Sequence, residues 1–405
     1  MAARQSYGKL LAWLSWQWRN ISAAEDALSE AFASALKHWP ADGVPESPEA
    51  WLLTAAKRNL LMAARRQRLE DDPRVLMLLP DLTTEPVDQQ TISDERLRLL
   101  FVCAHPAIDS SVHTALMLQL VLGIDAARIA NAFLLSPTAL SKRLTRAKAK
   151  IRDAGIPFSE PESGELGTRI GAVLEALYGA YTVNDLTILD VEVEDLVDEA
   201  LFLAQLMSEQ IEDDAEVYGL YALLLYCESR RHARFDEAGT FVPLDEQVPN
   251  LWRNELIHKA EFNLARAAKL KQVGPYQIEA AIQAAHMQGV LNQNTPWREI
   301  AILYEQLLLS GPTVGAKIGQ AIAVARATEN PAQGMELLDA IQTSGVDGHQ
   351  PWWAARANLL AMMGRKKEAE SAYMRAIALT RNEAVQNWLK RELEQLSLSS
   401  SNKQN

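Results

Sequence analysis

Apolar residues recur at three- and four-residue spacings along most of the chain, which is the period of amphipathic helices. Strict apolar–polar alternation is scarce, and the stretch GTFVPL beginning at Gly239 is the best weak case for a strand. Helical blocks run from about Tyr7 to Arg68 and from Arg96 to Asp153, and a longer one ends near Leu396. The pattern therefore predicts an all-α protein.

Proline and glycine mark the boundaries between these blocks. Prolines at 73, 80 and 86 cannot sit inside a regular helix without cost, so a linker is predicted over 71–95. The stretch AGIPFSEPESGELG, from Ala154, marks a second boundary. A chain of 405 residues is too long for one ordinary core. We expect a first domain over 1–70, a second over 96–155, a helical extension over 156–396 and a disordered polar tail over 397–405.

The extension carries an internal repeat. Tyr304, Leu338 and Tyr373 are 34 and 35 residues apart, close to the period of tetratricopeptide helix pairs. The same step relates two further sets of positions, which are Ile300, Gly334 and Ala369, and Leu307, Ile341 and Ala376. Tetratricopeptide-like stacking is predicted, clearest over 297–380, and generic helical hairpins of similar length are the alternative.

A strongly basic helix is predicted at LSPTALSKRLTRAKAKIRD, which begins at Leu135. Ser136 followed by Pro137 is a favourable helix start, because the hydroxyl caps the helix and the missing proline N–H costs nothing there. One stripe is apolar, namely Leu140, Leu144, Ala147 and Ile151. Six lysines and arginines occupy the other faces, with no acid before Asp153. A solvated helix face that merely keeps the protein soluble is the alternative interpretation.

The segment before this helix completes a helix-turn-helix pattern. Gly123 reads as a turn, Asp125 as a cap, and a short helix would follow with Ile129, Ala130 and Phe133 directed inward. A short helix, a tight turn and a longer basic helix together predict a DNA-binding motif. The polar residues at the start of the second helix would reach base edges, and its cations would contact phosphates.

Charge is unevenly distributed along the chain. The net charge is −12, yet residues up to Gly155 hold 19 basic and 17 acidic residues, which leaves 21 basic and 35 acidic residues behind them. The front part could therefore tolerate a polyanion, whereas the rear part would repel one.

Two further charged features lie in the first domain. A second basic cluster, Lys57 to Arg68, follows a helix start at Ser47-Pro48. Upstream, SAAEDALSEAFASALKHW is a capped amphipathic helix on which we expect Glu25, Asp26 and Glu30 to be exposed. Such an acidic face is a plausible docking surface for a basic partner, and an ordinary surface face is the equal alternative.

With these pieces in order, the front part resembles an extracytoplasmic-function (ECF) sigma factor of bacterial RNA polymerase. AEDALSEAFASALKHWP is similar to the region-two helix that docks on the polymerase, and SPEAWLLTAAKRNLLMAARRQR to the helix that melts and reads the −10 element. DERLRLLFVCAHPAI and the helix-turn-helix resemble region four, which reads the −35 element. The rear part resembles the large C-terminal extension of one ECF subgroup, notably at GPYQIEAAIQAAH.

The resemblance implies an initiation factor that binds core RNA polymerase and promoter DNA, with no catalytic role, cofactor or metal. Its −35-like DNA-binding residues would be Ser136, Thr138, Ala139, Ser141, Lys142, Arg143 and Arg146. Its −10-like DNA-binding residues would be Lys57, Arg58, Asn59, Arg65 and Arg66. Its polymerase-binding residues would be Glu25, Asp26 and Glu30. The extension would govern activity and could bind a peptide or protein partner.

Three other classes of function are alternatives to an initiation factor. An enzyme finds little support, because the seven histidines lack ligand spacing and no phosphate-binding or nucleophile motif occurs. A helical-repeat scaffold with a degenerate DNA-binding front remains open, since Met62 stands where the family usually has Asp. A repressor that acts without polymerase would bind duplex DNA tightly on its own.

The location is predicted from composition. Two cysteines, Cys103 and Cys227, cannot form a disulfide framework, which favours a reducing cytoplasm. No run of eighteen apolar residues occurs, so no membrane span is expected.

Overall fold

The computed structural model describes residues 6–71, 95–132, 135–159, 161, 163–185, 191–341 and 346–401. Within these ranges, the structure does not describe the side chains at 67–71, 131–132, 163, 183–185, 191–196 and 399–401. The predicted all-α class is confirmed. Within the described ranges the only β feature is an isolated antiparallel bridge between Phe235 and Phe241, and Phe241 lies within the predicted weak strand. No helix in these ranges is long and apolar enough to cross a membrane.

The chain divides into two compact units, Met1–Met207 and Ser208–Asn405. The predicted linker falls almost entirely outside the described residues, and the predicted domain boundaries stay predictions. The helices of the first unit are α1 (Tyr7–Trp18), α2 (Ile21–Asp42), α3 (Pro48–Asp71), α4 (Arg96–Cys103), α5 (His113–Leu120), α6 (Ala126–Ala132), α7 (Pro137–Asp153), α8 (Ser163–Asp185) and α9 (Val191–Gln210).

The core of the first unit forms where α1 packs on its neighbours. Leu10, Leu11 and Leu14 of α1 are fully buried. Gly8 allows α1 to approach the end of α5 closely, because a Cβ at this position would lie 1.9 Å from the carbonyl oxygen of Val121. The first three helices and the helices after residue 95 therefore share one packed core.

Helices α8 and α9 pack on the same unit through buried arginines. Arg96, at the start of α4, forms an ion pair with Glu199 of α9 and is only 5% exposed. Arg169 of α8 is 4% exposed, and its Nη1 donates to the carbonyl oxygen of Phe101 at 3.5 Å. The compact unit thus extends past residue 155, where sequence punctuation places the end of the second domain.

The second unit is a succession of helices. They are α10 (Ala215–Ser229), α11 (Asn254–Lys269), α12 (Pro275–Asn292), α13 (Trp297–Ser310), α14 (Val314–Ala327), α15 (Pro331–Asp339), α16 (Gln350–Met362), α17 (Lys366–Leu379) and α18 (Glu383–Ser401). Consecutive helices from α12 onward pack on one another, and α14 also contacts α16.

The repeated sequence positions fall on alternate helices of this unit. Tyr304, Leu338 and Tyr373 lie on α13, α15 and α17. At Gly334 of α15 an added Cβ would lie 2.5 Å from the carbonyl oxygen of Ala321 on α14. A small residue is required there because the two helices approach closely. The tetratricopeptide-like assignment itself stays a prediction.

Candidate nucleic-acid interface

Helices α6 and α7 start where the sequence pattern places them. Gly123 has φ +63°, a left-handed conformation that favours glycine. Asp125 Oδ1 accepts from the backbone N–H of Ala127 at 2.8 Å, which caps α6. Ser136 Oγ accepts from the N–H of Ala139 at 3.5 Å, and Pro137 is the first residue of α7. Phe133, predicted to point inward, lies outside the described residues, as does Leu134.

The predicted apolar stripe of α7 is buried, since Leu140, Leu144, Ala147 and Ile151 are at most 5% exposed. The start of the helix and much of its opposite side face solvent. Six of the seven residues proposed to contact the −35 element are exposed, namely Ser136, Thr138, Ala139, Ser141, Lys142 and Arg146. This face is open to a polyanion and carries positive charge.

The seventh residue, Arg143, is half-buried on one flank of the stripe. Its Nη2 donates to the carbonyl oxygen of Ser111 at 3.4 Å and also to the Ser111 hydroxyl. Ser111 belongs to a short 3-10 turn, Ser110–Val112, that precedes α5. Sequence reasoning did not identify Ser111, since it is separated from Arg143 by 32 residues.

On the opposite flank of α7, Lys148 forms an ion pair with α2. Its Nζ lies 2.7 Å from Glu25 Oε1, and the two side chains are 13% and 17% exposed. Burial raises the pKa of Glu25, although Lys148 acts in the opposite direction. The expected exposure of Glu25 was therefore wrong, because a lysine distant in sequence covers its carboxylate.

Asp26 and Glu30, the other two residues of the predicted polymerase-binding face, are exposed on α2. They are four residues apart and so share one helix face. Leu36, on the same helix, is 79% exposed. The acidic surface thus comprises Asp26 and Glu30, and the Glu25 carboxylate is turned away toward α7.

The cations of α3 fall into different environments. Lys57 Nζ lies 4.7 Å from the centroid of the Trp13 ring, a cation–π contact, and partial burial lowers its pKa. Asn59 Nδ2 donates to the carbonyl oxygen of Ala27 at 3.1 Å and so ties α3 to α2. Arg58 and Arg66 are exposed, and Arg65 is half-buried. Arg58 and Arg65, seven residues apart, share one helix face, and Arg66 lies beside it.

A cavity of about 710 Å³ lies between α2 and α3. It brings together Glu30, from the predicted polymerase-binding set, with Arg58 and Asn59, from the predicted −10 set. The other lining residues are Ser34, His38, Ala50, Trp51, Thr54, Ala55 and Met62. Arg58, His38 and Trp51 therefore line one cavity. Arginine, histidine and aromatic side chains are those on which unstacked bases stack.

The described residues contain no candidate metal-binding site. Across those residues, no three His, Cys, Asp or Glu side chains are grouped so as to hold an ion. Cys103 is buried at the end of α4, where burial raises the pKa of its thiol.

These surfaces define an all-helical protein with an exposed basic helix face, and comparisons with known proteins narrow its class. The family profile described as Sigma-70 region 2 matches residues 3–70, which are α1 to α3. Residues 169–268 match a family of unknown function, DUF6596. An uncharacterized protein of Rhizobium meliloti (strain 1021) is 35% identical over 404 residues, or 98% of this chain and 94% of the relative. No solved structure matches the chain.

The chain belongs to one family with the Rhizobium meliloti protein, and the Sigma-70 region 2 domain at residues 3–70 supports its assignment to the sigma factors. Its role is accordingly sigma-factor-like, in RNA polymerase binding and transcription initiation. Within this domain, α2 carries the acidic surface of Asp26 and Glu30, and α3 carries the exposed arginines Arg58 and Arg66.

Proposed function

We propose that the chain is an ECF-type initiation factor that brings core RNA polymerase to one promoter class. Helix α7 contacts the −35 duplex, α3 contacts the −10 region, and the acidic face of α2 docks on the polymerase. The protein acts in the bacterial cytoplasm, where the polymerase works, and performs no catalysis itself.

The observation that carries this proposal is the exposed basic face of α7. Lys142 and Arg146 point to solvent, and α7 lies in the same compact unit as the region 2 domain. A face that only maintains solubility would mix both signs of charge, whereas the charged residues of α7 before Asp153 are all basic. The arrangement instead fits a helix placed in the major groove, with cations at the phosphates.

The −10 contact is supported by the cavity beside α3. Arg58 lines this cavity and is exposed, and the basic face continues along the helix to Arg65 and Arg66. We propose that the melted strand follows this face, with its phosphates on the arginines and a base toward the cavity. Lys57 and Asn59 act chiefly within the protein, through Trp13 and the Ala27 carbonyl.

We further propose that the extension modulates activity. Residues after Gly155 hold 35 acidic and 21 basic residues, and this charge opposes binding of free DNA. The helical succession α12 to α18 would be the site at which a peptide or protein partner acts. The free protein should then bind promoter duplex weakly, whereas a repressor would bind it tightly.

The second candidate is an interaction scaffold with a degenerate DNA-binding front. It is favoured by Met62, which is 48% exposed at the cavity where the resembled family usually has Asp. A scaffold would bind partners through its second unit without directing transcription.

Transcription by purified core polymerase separates the two candidates. We expect promoter-dependent transcripts with the full chain, and weaker, more salt-sensitive initiation with Lys142→Ala or Arg146→Ala. Each lost phosphate contact should lower the slope of log affinity against log salt by about 1. Lys269→Ala, an exposed lysine of the second unit, removes the same charge and serves as the control. Transcription that is indifferent to the protein would favour the scaffold.

A further inference from the structure

Arg143 differs from the other cations of the α7 surface because its guanidinium is held. Nη2 contacts both the carbonyl oxygen and the hydroxyl of Ser111. Lys142 and Arg146, one and three residues away, are exposed. Arg143 therefore has a defined direction, whereas its neighbours are free to follow whatever phosphate is near.

Ser111 is itself fixed by Asp109. The carboxylate Oδ1 accepts from the Ser111 N–H at 2.9 Å and from the Ser111 hydroxyl at 2.5 Å. These hydrogen bonds lower the pKa of Asp109, with a further contribution from Arg143. A hydroxyl has one proton and two acceptor lone pairs, so donation to Asp109 leaves the oxygen to accept from the guanidinium. Carboxylate, hydroxyl and guanidinium thus form a chain.

The contact leaves Arg143 able to bind DNA. A guanidinium has five N–H donors, and Ser111 engages only those on Nη2. Nη1 and Nε each remain available for a single hydrogen bond to a base edge. Because a long side chain loses rotamer freedom on binding, holding it beforehand lowers that cost.

We propose that Asp109 and Ser111 are positioning residues that direct Arg143 toward one base pair of the promoter duplex. Arg143 is then the main base-reading cation of α7, whereas Lys142 and Arg146 supply sequence-independent phosphate contacts. This inference rests on the proposed function, since it concerns how the −35 duplex is read.

The test is selection of duplex DNA, randomised over the −35 region, by holoenzyme assembled from core polymerase and the full-length protein. The variants are Arg143→Ala, Ser111→Ala and Ser111→Thr, and Ser110→Ala is the control from the same turn. We expect Arg143→Ala to abolish one base preference and Ser111→Ala to weaken that preference about fivefold. Ser111→Thr keeps the hydroxyl and should retain the base preference, and so should Ser110→Ala.

The salt dependence of binding distinguishes positioning from general damage. Ser111→Ala should leave the salt slope unchanged, because no phosphate contact is lost. The inference is overturned if Arg143→Ala loses a base preference that Ser111→Ala keeps in full, or if neither variant changes any preference. If holoenzyme with the unaltered protein selects no sequence, both the proposed function and this inference fail.

Discussion

Lys148 Nζ and Glu25 Oε1, 2.7 Å apart, join the basic helix of the helix-turn-helix to the acidic helix of the region 2 domain. The two residues are 123 positions apart in the chain. Both side chains are mostly buried, so the pair is shielded from the screening that makes surface ion pairs weak. One flank of α7 is thereby fixed to the region 2 domain.

Removal of Lys148 should destabilise the first unit. Lys148→Ala leaves the Glu25 carboxylate mostly buried and unpaired, and we expect a loss of about 1–3 kcal/mol in the free energy of unfolding. Denaturant unfolding of Lys148→Ala, Glu25→Gln and the double variant measures the coupling between the residues. Lys150→Ala, an exposed lysine on the same helix, should change stability little. Additive losses would show that the pair is not coupled.

Substitutions at the neighbouring residues Arg58 and Asn59 of α3 should affect DNA binding and stability separately. Asn59→Ala removes the hydrogen bond to Ala27 and should cost about 1 kcal/mol of stability. Arg58→Ala, at the exposed rim of the cavity, should leave stability unchanged and weaken holoenzyme binding to a forked promoter with a single-stranded −10 region. Unfolding curves and binding isotherms for both variants check this. Equal effects of the two variants on binding would argue against the assignment.

Close helix packing in the second unit is tested at Gly334. Gly334→Ala places a methyl group 2.5 Å from the backbone oxygen of Ala321, and overpacking of this kind costs about 1–3 kcal/mol. Gly315→Ala is the matched control, because no atom lies within 4 Å of a Cβ at that position. Since alanine favours helix over glycine, this control should be neutral or slightly stabilising. Thermal unfolding measures both, and an equal response would contradict the packing.

The second unit should lose stability as the pH falls, through His286. Burial lowers the pKa of His286, whose ring packs edge-on against Trp297 with centroids 5.4 Å apart. The unfolded chain then binds this proton more tightly than the folded protein does. The free energy of unfolding therefore falls as the pH drops through the ordinary histidine value of 6.5.

His286→Gln should flatten this part of the pH profile, measured by denaturant unfolding between about pH 5 and 8. His258→Gln, an exposed histidine on α11, should preserve it. A profile that His286→Gln leaves intact would assign the pH dependence to other groups.

The elements that local chemistry determines could be predicted from the sequence. Ser136, Pro137, Asp125 and Gly123 specify where α6 and α7 begin, and the structure confirms each of these starts. The apolar spacing of α7 likewise identified the buried face. These signals act within a few residues, so they need no knowledge of tertiary contacts.

The partners of individual polar side chains could not be predicted in the same way. Glu25 has the spacing of an exposed residue, and only the packing of α7 on α2 covers it. Asn59 sits in a basic cluster, yet its amide satisfies a backbone carbonyl of α2. Nothing in the sequence around Ser111 indicates its contact with Arg143, although Asp109 followed by two serines is a typical capping pattern. Such contacts depend on helices that meet only after folding.

Site-directed cleavage of promoter DNA tests the central claim. This claim is that the exposed start of α7 lies in the major groove of the −35 element. Thr138→Cys in a Cys227→Ser background would carry an iron chelate, because the remaining Cys103 is buried. Holoenzyme with this protein should cut the promoter within one helical turn of the −35 element, and the same chelate at Lys269→Cys should not. Cleavage only from position 269, or none near −35 from position 138, would contradict the account.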